Sequence, residues 1–262
     1  MEQPMFGTRH ILMLCISIIL ILTVTVILKK KQPKLRHVNK ALLYVGIISE
    51  LVKVLCYTVV NEEKFGGYLP KSDLPFHLCS VQILFFLILN LTSKEQVKRV
   101  LYAFMFPTCL IGGFAALLLP THSARNMWVI TGQYFLYHTA IIIFALYLII
   151  TKELRFSVKD YLNALKMLLL FFFVSVYLNS WVSDYVQDIN FMYVIKPPMD
   201  GLPFLNKDNG WLSYIFRYAC LAVVCVTACY FRPIVSAVRN GKCEAGGESA
   251  TKTGEQETGC SD

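Results

Sequence analysis

Seven apolar runs leave this chain few ways to fold: Ile11 to Leu28, Ala41 to Val60, Leu74 to Leu91, Val97 to Leu119, Val129 to Ile150, Leu165 to Trp181 and Leu212 to Phe231. Each has about the 17 to 25 residues that a helix needs to cross roughly 30 Å of hydrocarbon. Backbone groups in lipid must be hydrogen-bonded within protein, so runs of this length predict helices rather than open strands. The predicted fold is an all-α membrane protein, a seven-helix transmembrane bundle in one domain over residues 1–234. With 56% hydrophobic and 16% charged residues, an ordinary soluble domain is excluded. The first run is read as a retained helix, not a secretion signal. It is longer than a signal's apolar core, little positive charge precedes it, and it runs into Lys29-Lys30-Lys31 with no small-residue cleavage site.

The net charge of +8 raises the question of a nucleic-acid partner, and the positions of the 25 lysines and arginines answer it. They alternate by loop. Lys29, Lys30, Lys31, Lys34, Arg36 and Lys40 follow the first run, Lys94, Lys98 and Arg99 the third, and Lys152, Arg155, Lys159 and Lys166 the fifth. With Arg232, Arg239, Lys242 and Lys252 after the seventh, seventeen fall on one side. The other side holds six, Arg9, Lys64, Lys71, Arg125, Lys196 and Lys207, while Lys53 and Arg217 lie inside runs. By the positive-inside rule the N-terminus is outside and the C-terminus cytoplasmic. Topology in a cell membrane thus accounts for the basic balance, and no nucleic acid is implied. Residues 235–262, rich in Gly, Glu, Thr and Ser, are too polar to bury a core and are expected to be disordered.

The nine cysteines are odd in number and none falls in a predicted external loop, so no disulfide framework is expected. No paired C-x-x-C supports a zinc site, and no metal is expected. The candidate chemistry lies elsewhere. In DLPFHLCSVQ, Ser72 and Asp73 are capping types and Pro75 suits a first helical turn, which would put His77 and Cys79 in the opening turns of the third helix. Unpaired N–H groups there favour negative charge, and the thiolate is the reactive form of cysteine. Plain packing is the more ordinary fate of such a thiol. Cys79 and Gln82 share a face, whereas His77 and Cys79 point apart on a regular helix, so a base for Cys79 must come from another helix unless His77 precedes the helical turns.

Other polar residues sit where hydrocarbon is expected. Glu50 and Lys53, three apart, are either a mutually neutralising pair that locks helices or part of a wet cavity. Thr131, Tyr134 and His138 form a stripe on the fifth helix, with His138 about 15 Å from its outer end. His138 is the candidate base, against the alternative of a core histidine bonded to a neighbouring carbonyl or hydroxyl. Between Val182 and Gly210 the chain is punctuated by Pro and Gly yet too apolar for free solvation, which predicts a lid over the outer face or a dip into the membrane. Arg217 on the seventh helix either binds a phosphate or carboxylate or snorkels to the surface.

Two functions fit these residues, with a purely structural packing role as a third. One is an intramembrane lipid acyltransferase or hydrolase with Cys79 as nucleophile, His138 or His77 as base, and Gln82 or a backbone N–H facing the oxyanion, supported by Glu50, Tyr134 and Arg217. It needs no cofactor. The other is a transporter or binding protein for a polar solute or protons through a cavity lined by Glu50, Lys53, His77, His138 and Arg217. No inverted repeat is apparent, which weighs against a secondary transporter.

LPFHLCSVQ from Leu74, FPTCLIGGFAALLLP from Phe106, QYFLYH from Gln133, and NFMYVIKPPMDGLP from Asn190 followed by NGW together resemble the bacterial YwaF-like integral membrane proteins over nearly the whole chain except the tail. More remotely, they resemble the eukaryotic transmembrane protein 164 family. That resemblance implies acyl transfer onto an ether lysophospholipid by a cysteine and a histidine. His138 matches the family's histidine, and His77 matches a histidine beside its cysteine. The cysteine's own position is Phe76 here, and Cys79 lies one turn further along.

The charge asymmetry generates a direct expectation: a cysteine introduced at Ser123 or Asn206 reacts with an impermeant thiol reagent from outside intact cells, and Cys260 does not. The opposite labelling pattern overturns the orientation.

Overall fold

The computed structural model describes residues 6–70, 73–120, 127–185, 189–199, 202, 204–206 and 210–239. Its long helices follow the apolar runs: α1 is Thr8–Lys31, α2 Leu35–Leu55, α3 the short Glu62–Phe65, α4 Leu78–Leu91, α5 Glu95–Leu118, α6 Trp128–Ile150, α7 Val158–Ser183 and α8 Gly210–Cys229. A π-helical turn, Cys56–Val60, extends α2, and a 3-10 turn, Phe191–Tyr193, lies between α7 and α8. Six helices are long and apolar enough to cross a membrane, counting α2 with its π turn as one.

The expected seventh is shorter than its sequence. The run from Leu74 yields a helix of 14 residues from Leu78 to Leu91, about 21 Å long. Residues 74–77 are held out of it because Asp73 is tied to α2, its carbonyl by Lys53 and its carboxylate by Tyr57. Pro75 therefore sits in a turn before the helix, not in its first turn. A second difference concerns the tail: residues 231–239 are helical, beyond the expected boundary at 234, because Ile234, Val235 and Val238 recur at helical spacing after Tyr230. Residues 240–262, Ser72 and Ser123 lie outside the described residues.

The centre is α5 against α6. In each, 61% of the apolar window is buried, against 11% in α1 and α7, which makes the first two the core and the others the wall. α1 packs on α6, α2 on α4 and α6, and α5 also meets α4, α7 and α8. Small residues set the closest approaches. A Cβ on Gly113 of α5 would stand 2.5 Å from Ile142 Cγ1 and 3.4 Å from the His138 carbonyl oxygen on α6. One on Gly46 of α2 would stand 2.8 Å from Ile83 Cγ1 on α4. Aromatic rings fill the space around these crossings: Phe104 stacks on Phe171 at 5.3 Å, and Phe86 meets Phe144 edge-on at 4.9 Å.

The bundle end that carries residues 29–40, 92–99 and 151–160 is closed by polar locks. Arg99 donates from Nε and Nη2 to the Asp160 carboxylate at 2.7 and 2.8 Å, and Asp160 also accepts from Ser157, capping α7. Glu153 accepts from the first backbone N–H of α2, at Leu35, and the Tyr147 hydroxyl donates to the Pro33 carbonyl. Tyr230, fully buried, donates to the Ala103 carbonyl at 2.8 Å and fastens the end of α8 to α5.

Gly113→Ala tests the α5–α6 crossing. Ile142 is fully buried and has no room to yield, so the added carbon outweighs the helix-propensity gain of alanine and destabilises the protein by about 1–3 kcal/mol. Gly112→Ala, whose added carbon meets nothing within 4 Å, leaves the melting temperature in detergent unchanged or slightly raised. Equal melting of the Gly113 variant and the parent would refute the close approach.

Candidate functional site

Glu50, Lys53 and Tyr57 share one face of α2, at i, i+3 and i+7, and that face meets the entry to α4. The Lys53 ammonium bonds both Glu50 oxygens, at 2.7 and 3.0 Å, and the Asp73 carbonyl at 2.9 Å. The Tyr57 hydroxyl donates to the Asp73 carboxylate at 2.6 Å. Ser80, in the first turn of α4, donates to Glu50 at 3.4 Å. The π turn that follows is sealed by Asn61, whose side chain donates to the Cys56 carbonyl at 2.7 Å. Glu50 and Lys53 thus form the locking pair, extended into a network that fixes the start of α4.

On that fixed start stand two candidate site residues. His77 has extended backbone (φ −75°, ψ 151°) and occupies the position just before α4, so it is not in the opening turn. Cys79 is the second helical residue, half-buried, and its carbonyl accepts from the Tyr137 hydroxyl of α6 at 2.8 Å. Gln82, one turn on and almost fully buried, donates to Thr108 Oγ1 at 3.0 Å. Thr108 itself donates to the Phe104 carbonyl at 2.7 Å, so its oxygen is the acceptor for Gln82 and the orientation of the Gln82 amide is set.

His138 lies on α6 beside Tyr137. Its Nδ1 is 2.7 Å from the Tyr134 carbonyl, which can only accept, so Nδ1 carries the proton and neutral His138 keeps its lone pair on Nε2. Among the described residues no hydrogen bond reaches Nε2. The Tyr134 ring packs 4.2 Å from the imidazole and its hydroxyl donates to the Ala116 carbonyl at 3.2 Å. Neighbouring Gln133 donates to Ser49 of α2. Tyr137 therefore connects the backbone of Cys79 to the helix that carries His138, while among the described residues no hydrogen bond joins the Cys79 thiol to His77 or to His138.

The segment after α7 folds over the start of α4. Asn179, buried in α7, takes both polar groups of Phe191: its Oδ1 accepts from Phe191 N–H at 2.8 Å and its Nδ2 donates to the Phe191 carbonyl at 3.0 Å. From α8, Tyr214 donates to the Tyr193 carbonyl, Tyr218 to that of Met192 at 3.0 Å, and Trp211 to that of Val194 at 2.9 Å. These bonds hold Met192 and Tyr193 at φ 54°, a left-handed conformation that side-chain-bearing residues adopt only when surroundings impose it. The rings of Phe191 and Tyr193 stand 5.7 and 5.4 Å from that of His77. Burial, with the nearby Cys79 and other ionisable groups, pushes the Tyr193 phenol up to about 12, so it is neutral at physiological pH. Arg217 belongs to this loop region: its Nη2 donates to the Asn206 carbonyl at 2.7 Å and its Nε to the Ser213 carbonyl at 3.3 Å.

Glu50, His77, Cys79 and Gln82 thus cluster at and just beyond the start of α4, His138 and Tyr134 face the bundle interior on α6, and Arg217 braces the loop. Tyr57, Ser80, Tyr137, Asn179 and Tyr193 did not stand out in the sequence, and Asp73, expected as a helix cap, instead ties the segment before α4 to α2. Helical spacing from Glu50 and Lys53 would have exposed Tyr57, and the tyrosines of QYFLYH would have exposed Tyr137; nothing local points to Asn179.

A model of the TMEM164 family matches residues 5–230. No curated protein and no solved structure matches the chain.

Asn179→Ala strips both partners from Phe191 at once. With each unpaired buried group costing about 1–3 kcal/mol, amide exchange across residues 189–199 accelerates at least tenfold while exchange in α5 and α6 is unchanged. Unaltered exchange at Phe191 would show that Asn179 is not what holds this segment.

Proposed function

The chain belongs to the TMEM164 family of multi-pass membrane proteins, and we propose that it is an intramembrane lipid acyltransferase or hydrolase whose nucleophile is Cys79 and whose base is His138. The observation that carries this reading is the fixed tautomer of His138. A histidine whose Nδ1–H is anchored to a carbonyl presents Nε2 as a base, on the same helix that binds the Cys79 backbone through Tyr137. The helix-start position of Cys79 adds support, since the first N–H groups of a helix favour a thiolate.

In the proposed reaction His138 Nε2 takes the Cys79 thiol proton and the thiolate attacks an ester carbonyl of a membrane lipid. A C–S bond forms, the ester C–O bond breaks, and the leaving alkoxide receives the proton back from His138. The thioester is then attacked by a lysophospholipid hydroxyl or by water. His138 accepts that nucleophile's proton and returns it to the departing thiolate, restoring the thiol. His77, under the aromatic roof of Phe191 and Tyr193, orients or polarises the lipid. The family position taken by Phe76 makes Cys79 a displaced nucleophile, one helical turn from the usual place.

The finer topology belongs to the same proposal: seven crossings, α4 being the short one, with the N-terminus outside, the C-terminus cytoplasmic, and the protein in the cell membrane as a bacterial YwaF-like member. The seventeen-to-six distribution of basic residues supports that orientation.

Purified protein given a diacyl phospholipid and an ether lysophospholipid should form a hydroxylamine-sensitive acyl adduct at Cys79. Cys79→Ala should abolish turnover and His138→Ala reduce it by roughly 10² to 10⁴. Full turnover by Cys79→Ala together with loss in His77→Ala or His138→Ala would replace the covalent scheme with histidine-based hydrolysis. Loss of solute uptake with no lipid product would support the transport reading instead.

A further inference from the structure

Among the described residues, Tyr193 is the one tyrosine that is not exposed and whose hydroxyl makes no hydrogen bond within the protein. A tyrosine packed into protein ordinarily finds a partner for its O–H, and the others here do. The Tyr193 oxygen is not sealed in by its neighbours, so it can be reached from outside. The backbone meanwhile is bent to present this ring. Met192 and Tyr193 both stand at φ 54°, a region where glycine is at home and a bulky side chain is strained. Four consecutive residues are pinned to hold that shape: Phe191 by Asn179, and the carbonyls of Met192, Tyr193 and Val194 by Tyr218, Tyr214 and Trp211. Backbone strain held in place by its surroundings is characteristic of segments that position a group for use. The group positioned here is a phenol over the mouth of α4, its ring 5.4 Å from that of His77.

We propose that Tyr193 is a substrate-binding residue whose hydroxyl donates to the ester carbonyl of the lipid seated beside His77. This deepens the acyl-lipid reading of the site and rests on it. The setting favours a neutral acceptor. Phe191 meets the rings of Phe76 and His77 edge-on at 5.1 and 5.7 Å, so the walls next to Tyr193 are largely aromatic. An ester oxygen accepts a hydrogen bond without bringing charge into such surroundings, whereas a phosphate placed here would meet the Asp73 carboxylate, which is held at this entry by Tyr57. Burial pushes the phenol up to about 12, so it keeps its proton and remains a donor at physiological pH. The hydroxyl transfers no proton. It fixes an ester carbonyl at the start of α4, where Cys79 lies in the first helical turn.

The test compares a diacyl phosphatidylcholine with its diether analogue, which has the same chains and headgroup but no ester carbonyl. Binding is titrated on full-length protein in detergent, in a Cys79→Ala background so that no acyl-enzyme forms. The Cys79→Ala protein should bind the diacyl lipid about three- to tenfold more tightly than the diether, which is what one hydrogen bond contributes, and adding Tyr193→Phe should abolish that preference. Because the deleted oxygen bonds nothing within the protein, the melting temperature should stay at that of Cys79→Ala. A lowered melting temperature would show that the hydroxyl serves the fold and overturns the proposal, as does a diacyl preference that is absent before Tyr193→Phe or survives it. Equal weakening toward both lipids would move the hydroxyl to the headgroup phosphate and overturns the ester contact. Binding requires no turnover. A preference lost in Tyr193→Phe beside full activity in Cys79→Ala would therefore remove the covalent mechanism and leave the Tyr193 contact standing, whereas an unchanged preference beside an inactive Cys79→Ala would remove the role of Tyr193 alone.

Discussion

The contact between Lys53, Glu50 and Asp73 determines much of the geometry at the entry to α4. In low dielectric neither charge is tolerable alone, so the pair forms, and its remaining valences reach out to the next segment. Because the ammonium takes the Asp73 carbonyl and Tyr57 takes its carboxylate, residues 74–77 are not wound into α4. His77 consequently faces the aromatic turn at Phe191 and Tyr193 in place of the bundle, and Cys79 falls in the first helical turn. A single intramembrane ion pair thereby decides where a helix starts and which side chains stand at its mouth.

The opposite end is held differently. There Arg99 and Asp160, Glu153 and the α2 N-terminus, and Tyr230 and Ala103 join neighbouring helices by charge-assisted or buried hydrogen bonds. Glycine at 46 and 113 brings α2 to α4 and α5 to α6 at backbone-limited distance. The helix bundle is thus fastened at one end and along its crossings, while the site end is shaped by loop segments that depend on asparagine and tyrosine side chains.

The helical class and most of the spans were legible because lipid leaves the backbone no alternative to a helix, and an apolar run announces one directly. The run at Leu74 misled about its start. Apolar character extends through Leu74, Pro75 and Phe76, and what excludes them from the helix is a partner twenty residues earlier, which no local pattern reveals. His138 was visible as a polar residue on an apolar helix, but the nitrogen it presents depends on a carbonyl in three dimensions. The segment from Asn190 was recognisable as too apolar for solvent. Its path was not, since left-handed Met192 and Tyr193 contradict local preference and exist only because Asn179, Tyr214 and Tyr218 bind the surrounding backbone.

The brevity of α4 acts as a depth gauge. A helix of 14 residues covers about 21 Å, some 9 Å less than a typical hydrocarbon layer, so a thiol in its first turn is recessed below the aqueous boundary when the other end meets the far interface. Acyl ester groups of phospholipids lie near that boundary, whereas their headgroups extend past it. A molecule arriving sideways from the leaflet reaches that depth without leaving the membrane. One descending from water must first shed its hydration and pass the turn at Phe191 to Tyr193. The missing turn of helix thus separates the two routes of approach to Cys79 by what each must cross before any side-chain contact is made.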